Sequence, residues 1–223
     1  MKKILLATAL FLCVNSTFAA ETAILKIKGT LTASACTPEF SNGGVVDYGN
    51  IRLGELSSTA VNQLGQRNID LTITCTAATK VAWNMIDDRA DSNAGLTVSA
   101  GTFTGGAQSA TNQTYGVGKA GTVNIGSYAM FMKVNSATAD GKSVDPIYQQ
   151  NGSMTWAKST DGSSQGENNR NITVALAGSI DPLAFQTATF PLVTSLAIQN
   201  TTTLSITDDT RLDGQLTISL KYL

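Results

Sequence analysis

The sequence predicts an all-β sandwich. Three observations predict it. Apolar side chains recur at every second residue in short segments, clusters of Gly, Asn, Ser and Asp separate those segments, and long amphipathic helical patterns are missing. The composition agrees. Hydrophobic residues make up 42% of the 223, but charged residues only 14%, against a usual ~25%. Thr, Ser, Ala, Asn and Gly take up the difference, which suits strands joined by turns.

The same composition narrows the function classes. The formal net charge is -1, and no basic stripe suggests a nucleic-acid surface. The chain contains no histidine, so the commonest general base and the commonest zinc ligand are both missing. No serine lies in a nucleophile-elbow motif. The reading is of a non-enzyme, without cofactor or metal.

The chain begins like a secretory signal. Lys2 and Lys3 precede an apolar run of 11 residues, Ile4 to Val14, which is too short to cross a bilayer. Thr17-Phe18-Ala19 then puts small residues at a cleavage site, so residues 1–19 read as a signal peptide and Ala20 as the first mature residue. Leu12 before Cys13 argues against a lipid-attachment site. The expectation is an exported protein whose mature part carries 13 basic and 16 acidic residues. Its two remaining cysteines, Cys36 and Cys75, are most simply a disulfide. A metal or redox pair is the weaker alternative, because the two lie far apart in sequence.

The strands follow in order. Ala23, Leu25, Ile27, Gly29 and Leu31 share one face of an alternating segment, with Ile24, Lys26, Lys28 and Thr30 on the other. Ser41-Asn42-Gly43-Gly44 is a turn, and Val45 to Gly49 reads as a short strand. Residues 50–67 read as a connection. Asn68 to Cys75 alternates with Ile69, Leu71, Ile73 and Cys75 on one face, and Val81 to Ile86 is another apolar strand. Residues 92–126 read as a weak strand near Leu96 followed by a long loop. Ser127 to Val134 is a clear strand, and residues 135–170 are polar and turn-rich. Asn171 to Leu176, Leu192 to Ile198 and Leu212 to Leu223 complete a set of about nine or ten strands. In the last, Gly214, Leu216, Ile218, Leu220 and Tyr222 lie on one face, so that strand is half buried.

Other signals read as bland. Gly116 to Gly121 matches GxGxxG, but a strand-like, glycine-broken segment follows it, so it is a loop. Asp87, Asp88, Asp91 and Asn93 lack calcium-loop spacing and read as a solvated turn. Trp83, Trp156, Tyr115 and Tyr148 could form a sugar platform, but aromatics in a sandwich are usually buried.

The two ends carry a resemblance. Ile27-Lys28-Gly29 shortly before Cys36, the strand Ile69 to Cys75, and the penultimate Tyr222 behind Leu216, Ile218 and Leu220 resemble chaperone–usher pilus subunits. Ala35-Cys36-Thr37-Pro38, Val46-Asp47-Tyr48-Gly49, Thr74-Cys75-Thr76-Ala77 and Leu212-Asp213-Gly214 are similar to a fimbrial-like branch of enterobacterial exported proteins. Residues 92–170 are longer than a minimal subunit needs, and Gly214 sits nearer the end than the family's usual glycine.

The resemblance implies an incomplete immunoglobulin-like β-sandwich of pilin type, completed by a donor strand. It implies a donor extension over residues 20–33 and a pilin-like domain over residues 34–223. Ala23, Leu25, Ile27, Gly29 and Leu31 would be the donor residues. Gly214, Leu216, Ile218, Leu220 and Tyr222 would form the strand that meets a chaperone and then a neighbour. The implied partners are a periplasmic pilus chaperone, an outer-membrane usher and neighbouring fimbrial subunits arranged head to tail. The implied location is the periplasm during assembly and then a surface fimbrium. The alternatives are a fimbrial adhesin for a host glycan or protein, and a self-contained periplasmic binding protein.

Overall fold

Alternating side chains become antiparallel ladders. The structure, a computed structural model, describes residues 23–30 and 33–223. These fall into two units, one ending at Ala33 and one running from Ser34 to Leu223. In the first, Ala23 to Thr30 form no helix or strand, in contrast to the strand expected there. Alternation alone makes no strand, because a strand needs a hydrogen-bonded neighbour. Ile24, Leu25 and Ile27 are 83%, 87% and 90% exposed. Leu31 and the signal segment lie outside the described residues.

The second unit is an all-β, antiparallel sandwich. Its strands are β1 (Cys36–Phe40), β2 (Asn62–Thr79), β3 (Val81–Asp87), β4 (Tyr115–Gly116), β5 (Lys119–Ala120), β6 (Val123–Asn124) and β7 (Gly126–Met132). They continue as β8 (Thr138–Ala139), β9 (Lys142–Ser143), β10 (Asp145–Gln150), β11 (Ala157–Lys158), β12 (Arg170–Ala175), β13 (Phe185–Ile198) and β14 (Leu216–Tyr222). A single helical turn, α1 (Thr201–Leu204), follows β13. One sheet has the order β1-β2-β13-β7-β4, with the β8–β9 hairpin on β13. The other has the order β11-β10-β12-β3-β14, and β5–β6 is a separate hairpin.

The inward faces are those the alternation marks. Ile69, Leu71, Ile73 and Cys75 of β2 are all buried, as are Val81, Trp83 and Met85 of β3. Trp83 meets Phe190 of β13 edge to face, with ring centroids 5.8 Å apart. Such a pair adds to its area burial because the positive ring edge meets the negative face. Cys36 pairs with Cys75 in the β1–β2 register, and their sulfurs are bonded at 2.04 Å. Closing a loop of sequence separation 39 is worth roughly 4 kcal/mol on chain-entropy reasoning.

Several element boundaries differ from the sequence reading. β2 starts at Asn62, inside the segment read as a connection. Its early residues are polar because much of that stretch faces outward, and a bulge at Leu64–Gly65 offsets the register, with Gly65 at φ +76°. Val45 to Gly49 belongs to no ladder, and Gly49 turns at φ +69°. β10 was hidden because Asp145-Pro146-Ile147-Tyr148-Gln149-Gln150 alternates poorly. Fourteen strand segments appear among the described residues, several only two residues long.

Candidate functional site: an open groove between two strand edges

A sheet edge presents unpaired N–H and C=O groups. On one side of this sandwich two such edges face a common groove. β14 pairs with β3 from Leu216↔Asp87 to Tyr222↔Val81, and among the described residues it has no second neighbour. β1 likewise pairs only with β2. The two edges meet at one end, where the Cys36 N–H donates to the Tyr222 hydroxyl at 2.8 Å. Toward the other end they part, and a groove of about 1310 Å³ opens between them.

One wall is the chain after β1. Among the described residues, Val46 to Ile51 make no backbone–backbone hydrogen bond. The opposite wall is the chain from Ile206 to Leu216 that leads into β14. The floor is apolar and comes from β2, β7 and β13 through Ile69, Met130, Leu196 and Ile198. Tyr48 anchors the first wall, its hydroxyl lying 3.0 Å from Thr194 Oγ1. Burial pushes that hydroxyl's pKa up, against the pull of the Thr194 hydrogen bond and of Arg67, whose guanidinium lies 5.0 Å over the ring. The second wall is tied down where the Asp213 N–H donates to the Val117 carbonyl at 2.8 Å and Arg89 pairs with the Asp213 carboxylate at 2.9 Å.

Of the residues expected to meet a partner, Gly214 and Leu216 line the groove, whereas Ile218, Leu220 and Tyr222 lie beyond its lining. Leu216, Ile218 and Leu220 are half-buried and point to the core, whereas Tyr222 is 52% exposed. Gly214 precedes β14, and a Cβ there would crowd the Gly116 carbonyl and the Tyr128 ring at 3.2 Å. Ala23, Leu25, Ile27 and Gly29 lie in the first unit, and a Cβ on Gly29 would meet nothing within 4 Å. The sequence reading missed the groove's other wall, the floor residues of β13 and the Ile206 to Leu212 rim. A signal for the floor was present: both faces of Leu192 to Ile198 are largely apolar, as a buried strand requires.

The remaining candidates resolve into structure. Among the described residues no group of His, Cys, Asp or Glu could hold a metal ion. Asp87 accepts from the N–H groups of Arg89 and Gly116 at 2.9 Å each. Burial pushes its carboxyl up, and those two hydrogen bonds pull it back. Asp88 accepts from Gln215 and Thr217, and Asp91 pairs with Lys119 at 2.9 Å. Asn93 bridges to Thr114 and Ser127. Trp83 and Tyr115 are buried, while Tyr148, under the Arg170 guanidinium at 4.1 Å, and Trp156, near a hairpin tip, are both half-buried. These aromatics form no common platform. Gly116 to Gly121, read as a loop, instead carries the end of β4 and the two-residue strand β5, which pairs with β6.

Comparison with known proteins finds relatives of this chain by sequence. Residues 25–129 match the family model described as "Protein of unknown function (DUF1120)". The chain is 33% identical over 237 residues to "Uncharacterized protein YhcF" of Escherichia coli (strain K12), covering 99% of this chain and 98% of that one. The chain belongs to the DUF1120 family. A second relative, "Protein GltF" of the same strain, is 32% identical over 222 residues, covering 89% of this chain and 87% of that one. The DUF1120 match takes in the segment from Leu25, both cysteines and the Tyr48 wall. β13 and β14, which supply the floor and the other rim, lie beyond that match but within the span shared with the first relative.

Proposed function

We propose that this DUF1120 protein is an exported structural subunit of a chaperone–usher-type surface fibre, polymerised by strand exchange and supporting adhesion. One observation carries the reading. An apolar-floored groove lies between the chain that leads into the free-edged β14 and a segment, Val46 to Ile51, without backbone–backbone partners among the described residues, in a chain that also has an exposed, alternating apolar segment outside every sheet.

The physics of such a groove favours a strand as its occupant. Main-chain groups on both walls need partners, and a strand supplies them while its alternate side chains fill the floor. Nine residues, Ala23 to Leu31, span about 30 Å when extended. Leu25, Ile27 and Leu31 are each worth about 1.5–3 kcal/mol on full burial. The occupant in a fibre is the N-terminal segment of the neighbouring subunit. Before assembly, a periplasmic chaperone covers the same edge, because an exposed edge over an apolar floor invites aggregation. The usher then receives the chaperone complex. A contact between one subunit's segment and the next subunit's groove is heterologous, so it builds an open filament.

The test removes the donor and leaves the groove. A chain lacking Ala20 to Leu31, produced with a periplasmic chaperone, is expected to stay a subunit–chaperone complex that takes up a peptide of residues 21–33 but forms no polymer. Polymerisation of the truncated chain at the rate of the intact one would overturn the assignment.

A further inference from the structure

The groove carries charge as well as apolar surface, and that charge differs from the charge at the far end of β14. There, beyond the groove's lining, Lys221 pairs across to Ala82, and Lys80 accepts the Leu223 N–H through its carbonyl. Both side chains are exposed, and neither forms an ion pair among the described residues. The open end is acidic. Asp47, Asp208 and Asp209 line it, and Asp88 sits beside it on Gln215 and Thr217. Of the nearby cations, Arg52 is paired with Glu55 at 3.2 Å and Arg89 with Asp213. Arg67 is held over the Tyr48 ring and donates to the Gln66 carbonyl at 2.9 Å, which leaves Arg211. Four carboxylates therefore face one uncommitted guanidinium group.

The N-terminal segment has the complementary pattern. With Leu25 and Ile27 turned to the floor, Lys26 and Lys28 stand on the opposite face, toward the rim. We infer that the acidic rim at the Leu216 end of the groove recognises Lys26 and Lys28 of a neighbouring copy's N-terminal segment, making the groove selective for strands that alternate apolar with basic residues. The inference rests on the strand-exchange reading above. The apolar floor alone would accept any alternating strand, and a slip of two residues keeps every apolar side chain facing it. Charge removes that degeneracy, because sliding the lysines toward Lys80 and Lys221 sets like charges together. Glu21 also lies toward those two lysines when the strand runs antiparallel to β14.

The test uses the whole chain and a fluorescent peptide of residues 21–33, followed by anisotropy. At low salt, the Lys26→Glu/Lys28→Glu peptide is expected to bind about tenfold more weakly than the native peptide. That difference should shrink at about 0.5 M salt, where the Debye length falls to a few ångströms. A chain carrying Asp208→Lys and Asp209→Lys should invert the preference, and the milder Asp208→Asn/Asp209→Asn chain should flatten it. Equal binding of both peptides to the native chain at low salt overturns the charge inference and leaves the groove reading standing. Failure of every peptide to bind at any salt overturns both.

Discussion

The β7 edge and the β14 edge of this sandwich are handled in opposite ways. Beside β7 the chain satisfies its own edge. Tyr115 and Gly116 pair with Tyr128 and Ser127, Ser163 bridges to Phe131, and the Met132 N–H donates to the Gly162 carbonyl at 2.8 Å. Arg170 then ties that insert down, donating to the Ser163 carbonyl at 2.8 Å and to its hydroxyl at 2.9 Å. Tyr115 is buried there, and its hydroxyl lies 3.0 Å from Ser164 Oγ. Beside β14 nothing comparable among the described residues closes the edge. The extra residues of the 92–170 region therefore have a structural use: they seal one side with polar, glycine-bearing loops. The open side keeps apolar residues and a groove. Under the proposed function, that free edge is the one a neighbour's strand would cover.

That contrast can be broken or sharpened by substitution. The largest effect is expected at the sealed side. Gly162 has φ +69°, and a Cβ there would collide with the Met132 carbonyl oxygen. Gly162→Ala should cost on the order of 3 kcal/mol, read as a lowered urea midpoint of the folded chain. An unchanged midpoint would mean that the insert does not clamp β7.

On the open side, the corresponding effect should fall on association and spare folding. Ile27→Asp replaces a side chain that is 90% exposed, so the chain's own stability should stay within about 0.5 kcal/mol. The same change in the peptide of residues 21–33 should weaken its uptake by about ten- to a hundredfold, from the lost burial of one apolar side chain. Competition against the native peptide measures it. Loss of folding stability, with no loss of uptake, would invert the comparison.

A smaller effect is expected where the β1 and β14 edges meet. Tyr222→Phe removes the acceptor for the Cys36 N–H. The contact is exposed, so the cost should be about 0.5 kcal/mol, seen as a shift of roughly 1–2 °C in Tm.

The smallest lies on the far edge, where Asp145 accepts from the Gly178 N–H at 2.8 Å and from Lys158 at 2.7 Å. The Gly178 hydrogen bond, and then Lys158, hold its carboxyl below the usual value. A depressed carboxyl stabilises the fold above its unfolded pKa of about 3.9, and that gain is lost as pH falls through the folded value. With Lys158 52% exposed, the gain should be only about 0.3 kcal/mol. Asp145→Asn should therefore match the native chain at about pH 2 and be slightly less stable at about pH 7, in urea titrations at each pH.

Legibility followed burial. Ile69 to Cys75 and Leu216 to Tyr222 were readable because one side of each faces the core and period two survives, and Val81 to Ile86 and Ser127 to Met132 because they are short apolar runs, buried on both faces. The start of β2, the strand β10 and the short ladders between Tyr115 and Asn124 were not. Their residues are polar or glycine-rich, and their pairing is decided by neighbours distant in the chain. The disulfide was readable from two cysteines in a chain with an export-like start. The groove was only half readable: its β14 rim shows as alternation, but its other wall was taken for a strand.

The residue pattern by itself determined the all-β class, the inward faces of the main strands, the cysteine pair and the apolar alternation at both ends, because each follows from local periodicity or from residue type. Only the tertiary structure decided that β7 is sealed by the insert, that β14 keeps a free edge, and that the Tyr48 and Asp208 segments flank one groove. Those segments are about 160 residues apart in the chain, and no local pattern encodes a distance between two edges. That distance is set by how two sheets pack over Trp83 and Phe190.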